Sequence, residues 1–447
     1  MPELLLPICI PLAWSHGRSR HSAGLWVLAL YLAGAREEPI AVARVLPGWG
    51  LIGGFLVWVI HAVTLALPWA VAWVAREAPL HRRCMTFLAI LTVQVLPPLG
   101  LWGWLHPLTL SGWLFPGWGP WGLAAMTGSL LFLVCRNRRG LLFAVLLSAI
   151  ANLGYDRPPA PAGWQALDTR LPRMQADASS RFERQRFLMA LLRQTLDTAP
   201  ESRPVRRVLV LPEEIAGPWT AAEAWWWQPL MSRLGARNIT LVLGAQQPAP
   251  EGLRNGALLI APTGRTWQLA RQPIPLAEWR YWEGPPSGWR TGGSRWSWNN
   301  GLVTLQGQRV LLSYCFEDLL TLPVLVTMGL NARPEILVSL ANLWWAEGLH
   351  EPEVQRLTAE GWARLWGIPL VRAVNRARQE DCCTTQEAMA ESSAADSPMA
   401  GVTWMRSPGW AFSSSRTMGG KSFLRCPPWA MNRGTSVICR TPSRASS

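Results

Sequence analysis

The stretch Val310-Leu-Leu-Ser-Tyr-Cys-Phe-Glu-Asp-Leu-Leu320 carries an apolar run of strand length directly into a cysteine, with a carboxylate two residues further on. A helical pattern begins at Leu319, so Cys315 is predicted to stand at an exposed turn between a strand and a helix. A thiol there can act as a nucleophile, and helix N–H groups can stabilise a developing oxyanion. The competing interpretation is a buried core cysteine, which is the commoner fate of a single Cys.

The composition of the 447-residue chain changes sharply along its length. Residues 1–155 are almost uncharged and rich in Leu, Ala, Val and Trp, whereas residues 156–376 have the pattern of a soluble α/β protein. The net charge of +14 comes from scattered Arg residues without a long basic run, so nucleic acid is not an expected partner. The eight cysteines contain no CxxC pair and the six histidines are scattered, so we predict neither a metal nor another cofactor.

Residues 1–155 are predicted to form a multi-pass, α-helical transmembrane domain of about six segments. The two shortest segments alone would also fit buried helices or a signal-peptide core, but further apolar segments follow them. An integral membrane domain is therefore the stronger interpretation. The predicted segments are Leu4–Trp14, Ala23–Ala35, Leu51–Val74, Cys84–Leu105, Gly119–Cys135 and Gly140–Leu153.

Arginine residues alternate between the loops that join these segments. They dominate the first, third and fifth loops, whereas the second loop mixes Arg36 and Arg44 with Glu37 and Glu38 and the fourth carries no formal charge. The positive-inside rule places the arginine-rich loops in the cytoplasm, so the chain after Asp156 is predicted to lie in the periplasm, outside a bacterial inner membrane. The same rule puts the N-terminus outside, which leaves open a misassigned first helix or a half-embedded N-terminal segment.

The chain after the membrane segments is predicted to be a layered α/β domain with a mixed sheet. A Pro-rich linker over 156–178 precedes an amphipathic helix over Ser179–Asp197, and Gln306-Gly307 is typical of a hairpin turn. Further helices are predicted over Thr220–Leu234, Leu319–Leu330 and Pro352–Trp366. The strand-length runs are Arg207–Leu211, Ile239–Gly244, Gly256–Ala261, Gly301–Leu305, Gln308–Tyr314, Glu335–Leu340 and Ile368–Val374.

Polar side chains stand where several of these strands end. Glu213 follows one strand, Cys315 and Glu317 follow the hairpin strand, and Asn342 closes another. Each has an ordinary structural explanation: Glu213 as a surface-loop residue, for example, and Glu317 as an acid favoured at a helix N-terminus. Because strand ends of one sheet can meet at a single crevice, their joint placement favours a catalytic site.

Five motifs in order resemble those of the nitrilase, or carbon–nitrogen hydrolase, superfamily. With the apolar segments ahead of them, they are most similar to apolipoprotein N-acyltransferases and, closer still, to the plasmid-encoded TraB family of conjugal transfer proteins. The motifs are Leu211-Pro-Glu213, Ile274-Pro-Leu-Ala-Glu278, Tyr314-Cys-Phe-Glu317, Val338-Ser-Leu-Ala-Asn-Leu-Trp-Trp345 and Pro369-Leu-Val-Arg-Ala-Val-Asn375.

The resemblance implies an αββα nitrilase-like sandwich over 179–377, truncated at its end, in which a Glu–Lys–Cys triad forms a thioester. Carried over by motif, Glu213 is the general base, Cys315 the nucleophile, and Glu278 and Glu317 the auxiliary acids. Because Glu213 and Glu214 point to opposite faces if the strand continues, only one of them can serve. The expected substrate is an amide or acylated compound, or a membrane lipid, and the implied partner is conjugation machinery.

The lysine of the triad is missing, since the only lysine of the chain is Lys421. A strict count back from Glu278 reaches Ala270, and one deleted residue brings Arg271 into the lysine position. Arginine can stabilise an oxyanion but cannot shuttle protons. Two hypotheses follow: a membrane-anchored amidase or N-acyltransferase, and a catalytically inactive structural or assembly factor of a conjugation system. For the enzyme we expect a cation to hold the thiol pKa below that of a free cysteine.

The segments beyond the motifs carry two further expectations. Residues 378–447 lose all strand and helix periodicity yet contain four cysteines, which suggests a frameshifted, irregular tail. The Trp-rich loop Trp267–Trp298 either dips into the membrane surface and admits a lipid-like substrate, or packs its rings locally.

The alternation of charge makes the topology testable. A reporter that is active only in the periplasm should function when fused after Gln165 and fail when fused after Arg83, since the rule places these sites on opposite sides of the membrane. The reverse pattern of reporter activity would overturn the compartment assignment and most of the functional interpretation.

Overall fold

Two β-sheets packed face to face form the centre of the C-terminal part of the chain. The structure, a computed structural model, describes residues 2–175, 177–198, 207–250, 252–278, 297–299, 301–329 and 333–376. The predicted tail after 377 and most of the Trp-rich loop lie outside the described residues.

Both sheets are mixed. In the five-stranded sheet β1, β2 and β3 are parallel and β4 and β5 continue it antiparallel; in the four-stranded sheet β6 is antiparallel to β7, and β8 and β9 run parallel to β7. The strands of the first sheet are β1 Trp164–Ala166, β2 Arg207–Val210, β3 Ile239–Ala249, β4 Gly252–Ala261 and β5 Gly264–Leu269. Those of the second are β6 Leu302–Leu305, β7 Gln308–Tyr314, β8 Ile336–Leu343 and β9 Leu370–Arg376.

Helices form the N-terminal part and the outer layers of the sandwich. The N-terminal helices are α1 Pro2–His16, α2 Arg20–Gly34, α3 Glu38–Val45, α4 Gly50–Val71, α5 Leu80–Val95, α6 Ser111–Leu114, α7 Pro120–Val134 and α8 Arg138–Leu153. The helices of the sandwich are α9 Ala178–Asp197, α10 Ala221–Trp226, α11 Gln228–Ala236, α12 Leu322–Gly329 and α13 Glu351–Trp366.

The alternation of side chains along the strands builds the layers. Val210 of β2 and Val310 of β7 share the core between the two sheets, whereas Leu209 of β2 faces the core formed with α9 and α11. Leu311 of β7 faces the opposite way, into a core shared with α13 and the N-terminal helices. Because side chains alternate with a period of two, one apolar strand contributes to two cores. The layer order is therefore helix, sheet, sheet, helix.

The predicted elements differ from the observed ones where local pattern competes with long-range pairing. The predicted linker over 156–178 contains β1, which is only three residues long and depends on pairing with β2. Strand β5 was missed because its sequence is largely polar and exposed. The predicted helix over Thr220–Leu234 is split into α10 and α11, with Pro229 at the start of the second.

All six predicted apolar segments are helical, but most are short. The segment predicted to reach Leu105 ends at Val95, because Pro97 and Pro98 follow and cannot donate helix hydrogen bonds. Among the described residues one helical span, Pro47–Val71 with 25 residues, is long and apolar enough to cross a membrane. The multi-pass, membrane-spanning arrangement stays a prediction.

The N-terminal helices contact the sandwich at both ends of α3. Glu37, just before α3, accepts hydrogen bonds from the backbone N–H groups of His350 (2.6 Å) and Glu351 (3.2 Å) at the start of α13. At the other end, Arg44 donates to the carbonyl oxygens of Trp345 (2.8 Å) and Glu347 (2.7 Å). Helix α3 is therefore fixed across the C-terminal edge of the second sheet.

A glycine crossing joins α6 to α13. A Cβ atom on Gly112 would lie 1.7 Å from the carbonyl oxygen of Gly361, so neither backbone can retreat without separating the two helices. We expect Gly112→Ala to lower the free energy of unfolding by about 1–3 kcal/mol through overpacking. Thermal unfolding of the purified full-length protein in detergent measures the change.

Gly128→Ala is the matched control for that substitution. A Cβ on Gly128, within α7, meets no atom within 4 Å. This change should be neutral or stabilise the protein by about 0.5–1 kcal/mol, since it only reduces backbone freedom. Equal effects of the two substitutions would contradict the close α6–α13 crossing.

Candidate active site

Cys315 lies at the end of β7, where the chain enters a 3-10 turn over Cys315–Leu319. Its backbone φ is 33°, a left-handed conformation that is strained for a residue with a side chain. The residue is only 5% exposed and packs with Ala341 and Leu343 of β8 and Val374 of β9, so the predicted exposed turn is wrong. Gln355 of α13 donates a 2.7 Å hydrogen bond to the Cys315 carbonyl oxygen.

Two carboxyl groups and one amide lie beside the thiol. Glu213 follows β2, is 4% exposed, and its carboxyl group interacts with the Cys315 thiol. The amide nitrogen of Asn255 donates to Glu213 Oε1 (2.8 Å) and to Glu278 Oε1 (3.0 Å), and so bridges the two acids. Glu214 has a φ of 49° and accepts from Gln246 at 2.8 Å instead. Of the two neighbouring glutamates, Glu213 is therefore the one at the thiol.

Burial sets the protonation of these groups. It raises the pKa of Glu213 well above its ordinary value, and the charges of Glu278 and Glu214 add to the effect. Burial also raises the pKa of Glu278 to about 8. The pKa of the Cys315 thiol is raised well above its ordinary value, first by burial and then by the charge of Glu213. The expected low thiol pKa is thus wrong, because desolvation and the charges of Glu213 and Asp318 outweigh the Asn342 backbone N–H, which lowers it.

A raised thiol pKa does not prevent activation by Glu213. Once Glu213 is ionised, proton transfer from the Cys315 thiol to its carboxylate leaves one negative charge on the pair before and after. Burial destabilises the negative charge whether it lies on Glu213 or on the Cys315 sulfur. It therefore opposes proton transfer between the two groups much less than it opposes loss of the proton to water. The backbone N–H of Asn342 favours the thiolate. The pair can therefore generate a nucleophile at the moment of attack.

Arg271 and Glu317 form a buried ion pair next to this network. The guanidinium donates to Glu317 Oε2 from Nη2 (3.0 Å) and Nε (3.2 Å), and the two side chains are 4% and 0% exposed. Its Nη1 donates to the carbonyl of Pro323 and the hydroxyl of Thr327, both at 3.1 Å. Glu317 also accepts from the Gln272 backbone N–H at 2.9 Å. Among the described residues, the Arg271 guanidinium therefore donates its hydrogen bonds to Glu317 and to Pro323 and Thr327 of α12.

A second arginine, which the sequence interpretation did not select, is electrostatically coupled to the thiol. The charges of Asp318 and Cys315 both stabilise the cation of Arg372, a residue of β9, although burial lowers its pKa. Its Nη2 donates to Gln355 Oε1 at 2.9 Å, and Gln355 holds the Cys315 carbonyl. The motif Pro369–Asn375 contained this residue, but only the sheet pairing reveals its position.

Asp318 is the other residue that was missed. It is 1% exposed and accepts hydrogen bonds from the hydroxyl groups of Ser313 (2.6 Å) and Ser339 (2.7 Å). Burial raises its pKa to about 6. These bonds tie the 3-10 turn to β7 and β8, so Asp318 fixes the backbone that presents Cys315.

An apolar cavity of about 190 Å³ borders Cys315. On the side of the N-terminal helices its wall is formed by residues of α3 and by Trp102. On the side of the sandwich the wall is formed by Leu319 and the loop over 274–277. The polar exceptions in the lining include Glu38, His61 and Glu351. In the described part of the chain no group of three or more His, Cys, Asp or Glu residues could hold a metal ion.

Two curated relatives match most of the chain. The probable conjugal transfer protein TraB of Sinorhizobium fredii is 33% identical over 378 residues, which cover 83% of this chain and 93% of the relative. The conjugal transfer protein TraB of Agrobacterium fabrum is 31% identical over 393 residues, covering 83% and 88%. The chain belongs to the TraB family. The resemblance inferred from the motifs is thereby confirmed, although no protein-family model matches the chain.

Carbon–nitrogen hydrolases are among the solved structures that align with this TraB-family chain. A carbon–nitrogen hydrolase of Helicobacter pylori aligns with a TM-score of 0.35 and 13% identity, over 49% of this chain and 75% of the other. A superfamily member from Xanthomonas campestris aligns with a TM-score of 0.31 and 11% identity, over 54% and 98%.

The raised pKa of Glu278 makes the stability depend on pH. The folded state favours the neutral acid, so this contribution is complete below the ordinary glutamate pKa and is lost as pH rises through about 8. Unfolding midpoints should therefore fall between pH 5 and roughly 9. Glu278→Gln, which stays neutral, should flatten this fall by about 1–3 kcal/mol.

Glu335→Gln is the control, because Glu335 lies far from the thiol at the start of β8 and bonds the Arg309 backbone N–H. Its pH profile should follow that of the unsubstituted protein. A Glu278→Gln profile as steep as the wild-type profile would show that Glu278 is already ionised in the folded state.

Proposed function

We propose that the chain is a membrane-anchored thiol enzyme, an amidase or N-acyltransferase, that forms an acyl thioester at Cys315. The observation that carries the proposal is that the Glu213 carboxyl group acts directly on the buried Cys315 thiol, which lines an apolar cavity. A nucleophile in contact with its base, beside space for a substrate, is the arrangement that acyl transfer requires.

The reaction follows from the roles of these groups. An acyl carbonyl enters the cavity, Glu213 takes the thiol proton, and Sγ attacks the carbonyl carbon. The tetrahedral intermediate collapses as the bond to the leaving nitrogen or oxygen breaks, and Glu213 returns the proton to the leaving group. Water or an amine then attacks the thioester. Asn255 holds Glu213 in place throughout through its 2.8 Å bond.

The lining of the cavity supports an apolar acyl group as the substrate moiety. Residues such as Val42, Leu319 and Trp102 border it, and each methylene buried there is worth about 0.8 kcal/mol. A membrane position fits this preference, since α4 is long enough to span and the arginine-rich loops alternate. We propose that the protein lies in the inner membrane with the sandwich in the periplasm.

Because the lysine of the triad is missing, other groups must stabilise the oxyanion in this proposal. The charge of Arg372 favours the thiolate of Cys315, and the Asn342 backbone N–H also faces the sulfur. Arg271 acts indirectly in this proposal, because its guanidinium holds Glu317 two residues after the nucleophile. Electrostatic stabilisation by fixed donors is often the largest contribution to acyl transfer.

A second candidate function is an inactive assembly factor of a conjugation system. The observation in its favour is the engagement of the Arg271 guanidinium with Glu317, Pro323 and Thr327, which leaves it a structural role. The family relationship supports a role with conjugation machinery under both hypotheses.

Formation of an acyl-enzyme separates the two functions. Full-length protein in detergent, treated with a p-nitrophenyl acyl ester, should release one burst of nitrophenolate and gain one hydroxylamine-sensitive acyl group on Cys315. Cys315→Ala should abolish both, and Glu213→Gln should slow the burst at least roughly 100-fold by removing the base.

Cys9→Ala is the matched control, since Cys9 is a free, partly buried cysteine outside the sandwich. Its burst should equal that of the unsubstituted protein. Absence of the burst in protein that unfolds cooperatively would reject the enzyme and leave the assembly factor.

A further inference from the structure

The apolar cavity beside Cys315 has two nitrogen-bearing rings in its wall. His61 of α4 and Trp102, which lies between α5 and α6, both border the cavity. Their rings meet edge to face, with centroids 5.3 Å apart and planes at 87°. The thioester proposed at Cys315 uses neither ring, so these two polar side chains have no role in the chemistry derived above.

One nitrogen of each ring is buried and lacks a hydrogen bond. Among the described residues, His61 Nε2 and Trp102 Nε1 have no partner, and His61 as a whole is 3% exposed. Buried polar groups in folded proteins are hydrogen-bonded as a rule, and exceptions beside a cavity indicate where polar atoms of a ligand bind. The two nitrogens therefore mark a polar position in a largely apolar cavity.

Glu38 determines what His61 offers to a ligand. His61 Nδ1 lies 2.9 Å from Glu38 Oε2. A carboxylate oxygen accepts hydrogen bonds, so Nδ1 carries the hydrogen and donates it to Glu38. The bond made by one ring nitrogen sets the state of the other, which leaves Nε2 with a lone pair that can accept. The indole nitrogen of Trp102 is a donor only. The cavity wall thus presents one acceptor beside one donor.

A hydroxyl group matches this pair of nitrogens. Its O–H can donate to His61 Nε2 while its oxygen accepts from the N–H of Trp102. A keto oxygen accepts only, so it would leave His61 Nε2 unpaired. An ammonium group donates only, so it would leave the Trp102 N–H unpaired. A single hydroxyl is therefore the small substituent that satisfies both atoms at one position.

The walls of the cavity separate this position from the reacting carbonyl. Cys315 belongs to the wall formed by the sandwich, whereas His61 and Trp102 belong to the wall formed by the N-terminal helices. An acyl group on the Cys315 sulfur has its carbonyl at the first wall, and its chain extends across the cavity towards the second. The hydroxyl then lies on the chain, away from the thioester.

We infer that His61 and Trp102 form a hydroxyl-binding site, so that the acyl chain that the cavity accepts carries a hydroxyl group. The inference rests on the proposed function, because it names the class of acyl chain that the same site transfers. Glu38 acts as the positioning residue that holds the His61 ring in the accepting tautomer.

Calorimetry on the full-length Cys315→Ala protein in detergent measures binding without acylation. The probes are N-methyl octanamide and its three derivatives with a hydroxyl on the third, fifth or seventh carbon. At least one hydroxy isomer should bind roughly tenfold or more tightly than the unsubstituted amide, because a site built for a hydroxyl disfavours an analogue that lacks it. The oxo derivative at the same carbon should lose this advantage, since it cannot donate to His61.

His61→Phe and Trp102→Phe, each in the Cys315→Ala protein, keep a ring and remove its nitrogens. Both should abolish the preference for the hydroxy isomer and still bind the unsubstituted amide, which counts the folded sites of each variant. Trp58→Phe is the matched control, because Trp58 also lies on α4 but its indole N–H already donates to the Leu32 carbonyl oxygen at 3.0 Å. It should keep the full preference. Where His61→Phe does not fold, Trp102→Phe decides.

Two results would overturn the inference. Equal binding of all four amides would show that water serves the two nitrogens, and a preference that survives both substitutions would place the hydroxyl elsewhere. Neither result affects the proposed function, which the nitrophenolate burst tests in protein that retains Cys315. A hydroxyl preference in protein that gives no burst would keep the binding site and reject the thiol enzyme.

Two donors of the preferred hydroxyacyl chain identify its source. One is a lipid ester in nanodiscs, the other a soluble thioester of N-acetylcysteamine, and both are offered to protein that retains Cys315. Mass spectrometry of the acylated cysteine then assigns the chain to the membrane or to a soluble thioester. If both hydroxyacyl donors fail where the matching octanoyl donors acylate Cys315, the inference is wrong.

Discussion

The buried ion pair between Arg271 and Glu317 is the contact on which the site depends. Glu317 is two residues from Cys315, and Arg271 begins the loop that carries Glu278. One salt bridge therefore fixes the nucleophile turn against the loop with the second acid. Breaking such a pair by removing one partner typically costs about 3–5 kcal/mol, because the remaining charge stays buried. An apolar pair of similar volume would often stabilise the fold as well as this ion pair does. The role of Arg271 is therefore to fix the position of the turn that carries Cys315.

The position of the thiol between several acids follows from that constraint. Once the loop is fixed, Asn255 bridges Glu213 and Glu278, and both acids become buried with raised pKa values. Neither acid can then ionise freely in water, and proton exchange within the Cys315–Glu213 pair becomes the favoured route to a thiolate. The low dielectric of the site that opposes ionisation also strengthens every remaining hydrogen bond to a developing charge.

The sandwich and the side chains around Cys315 could be predicted from the sequence, because strand alternation and short motifs are local features of the chain. Alternating apolar residues marked β7, and Gln306-Gly307 marked the hairpin; both residues of that turn have positive φ. Cys315, Glu213 and Glu278, selected at strand ends and by motif, meet in one network.

Long-range features escaped the sequence interpretation. Arg372 reaches the network only because β9 pairs with β8, and no spacing along the chain encodes that neighbour. The pKa of the thiol was predicted in the wrong direction for the same reason, since burial of Cys315 against β8 and β9 cannot be read from a strand end. Strand β1 was missed because three residues carry too little pattern without their partner strand.

Helix α3 makes the N-terminal helices part of the candidate site. It is held to the sandwich at one end by Glu37 and at the other by Arg44, and residues along it line the cavity beside Cys315. A substrate in the cavity therefore contacts both parts of the chain at once. Separation of the helices from the sandwich would open the cavity to water, weaken its apolar contacts and expose the carboxyl groups whose raised pKa values depend on burial. The chemistry proposed at Cys315 thus depends on the joined structure, and a sandwich expressed alone would lack one wall of the cavity.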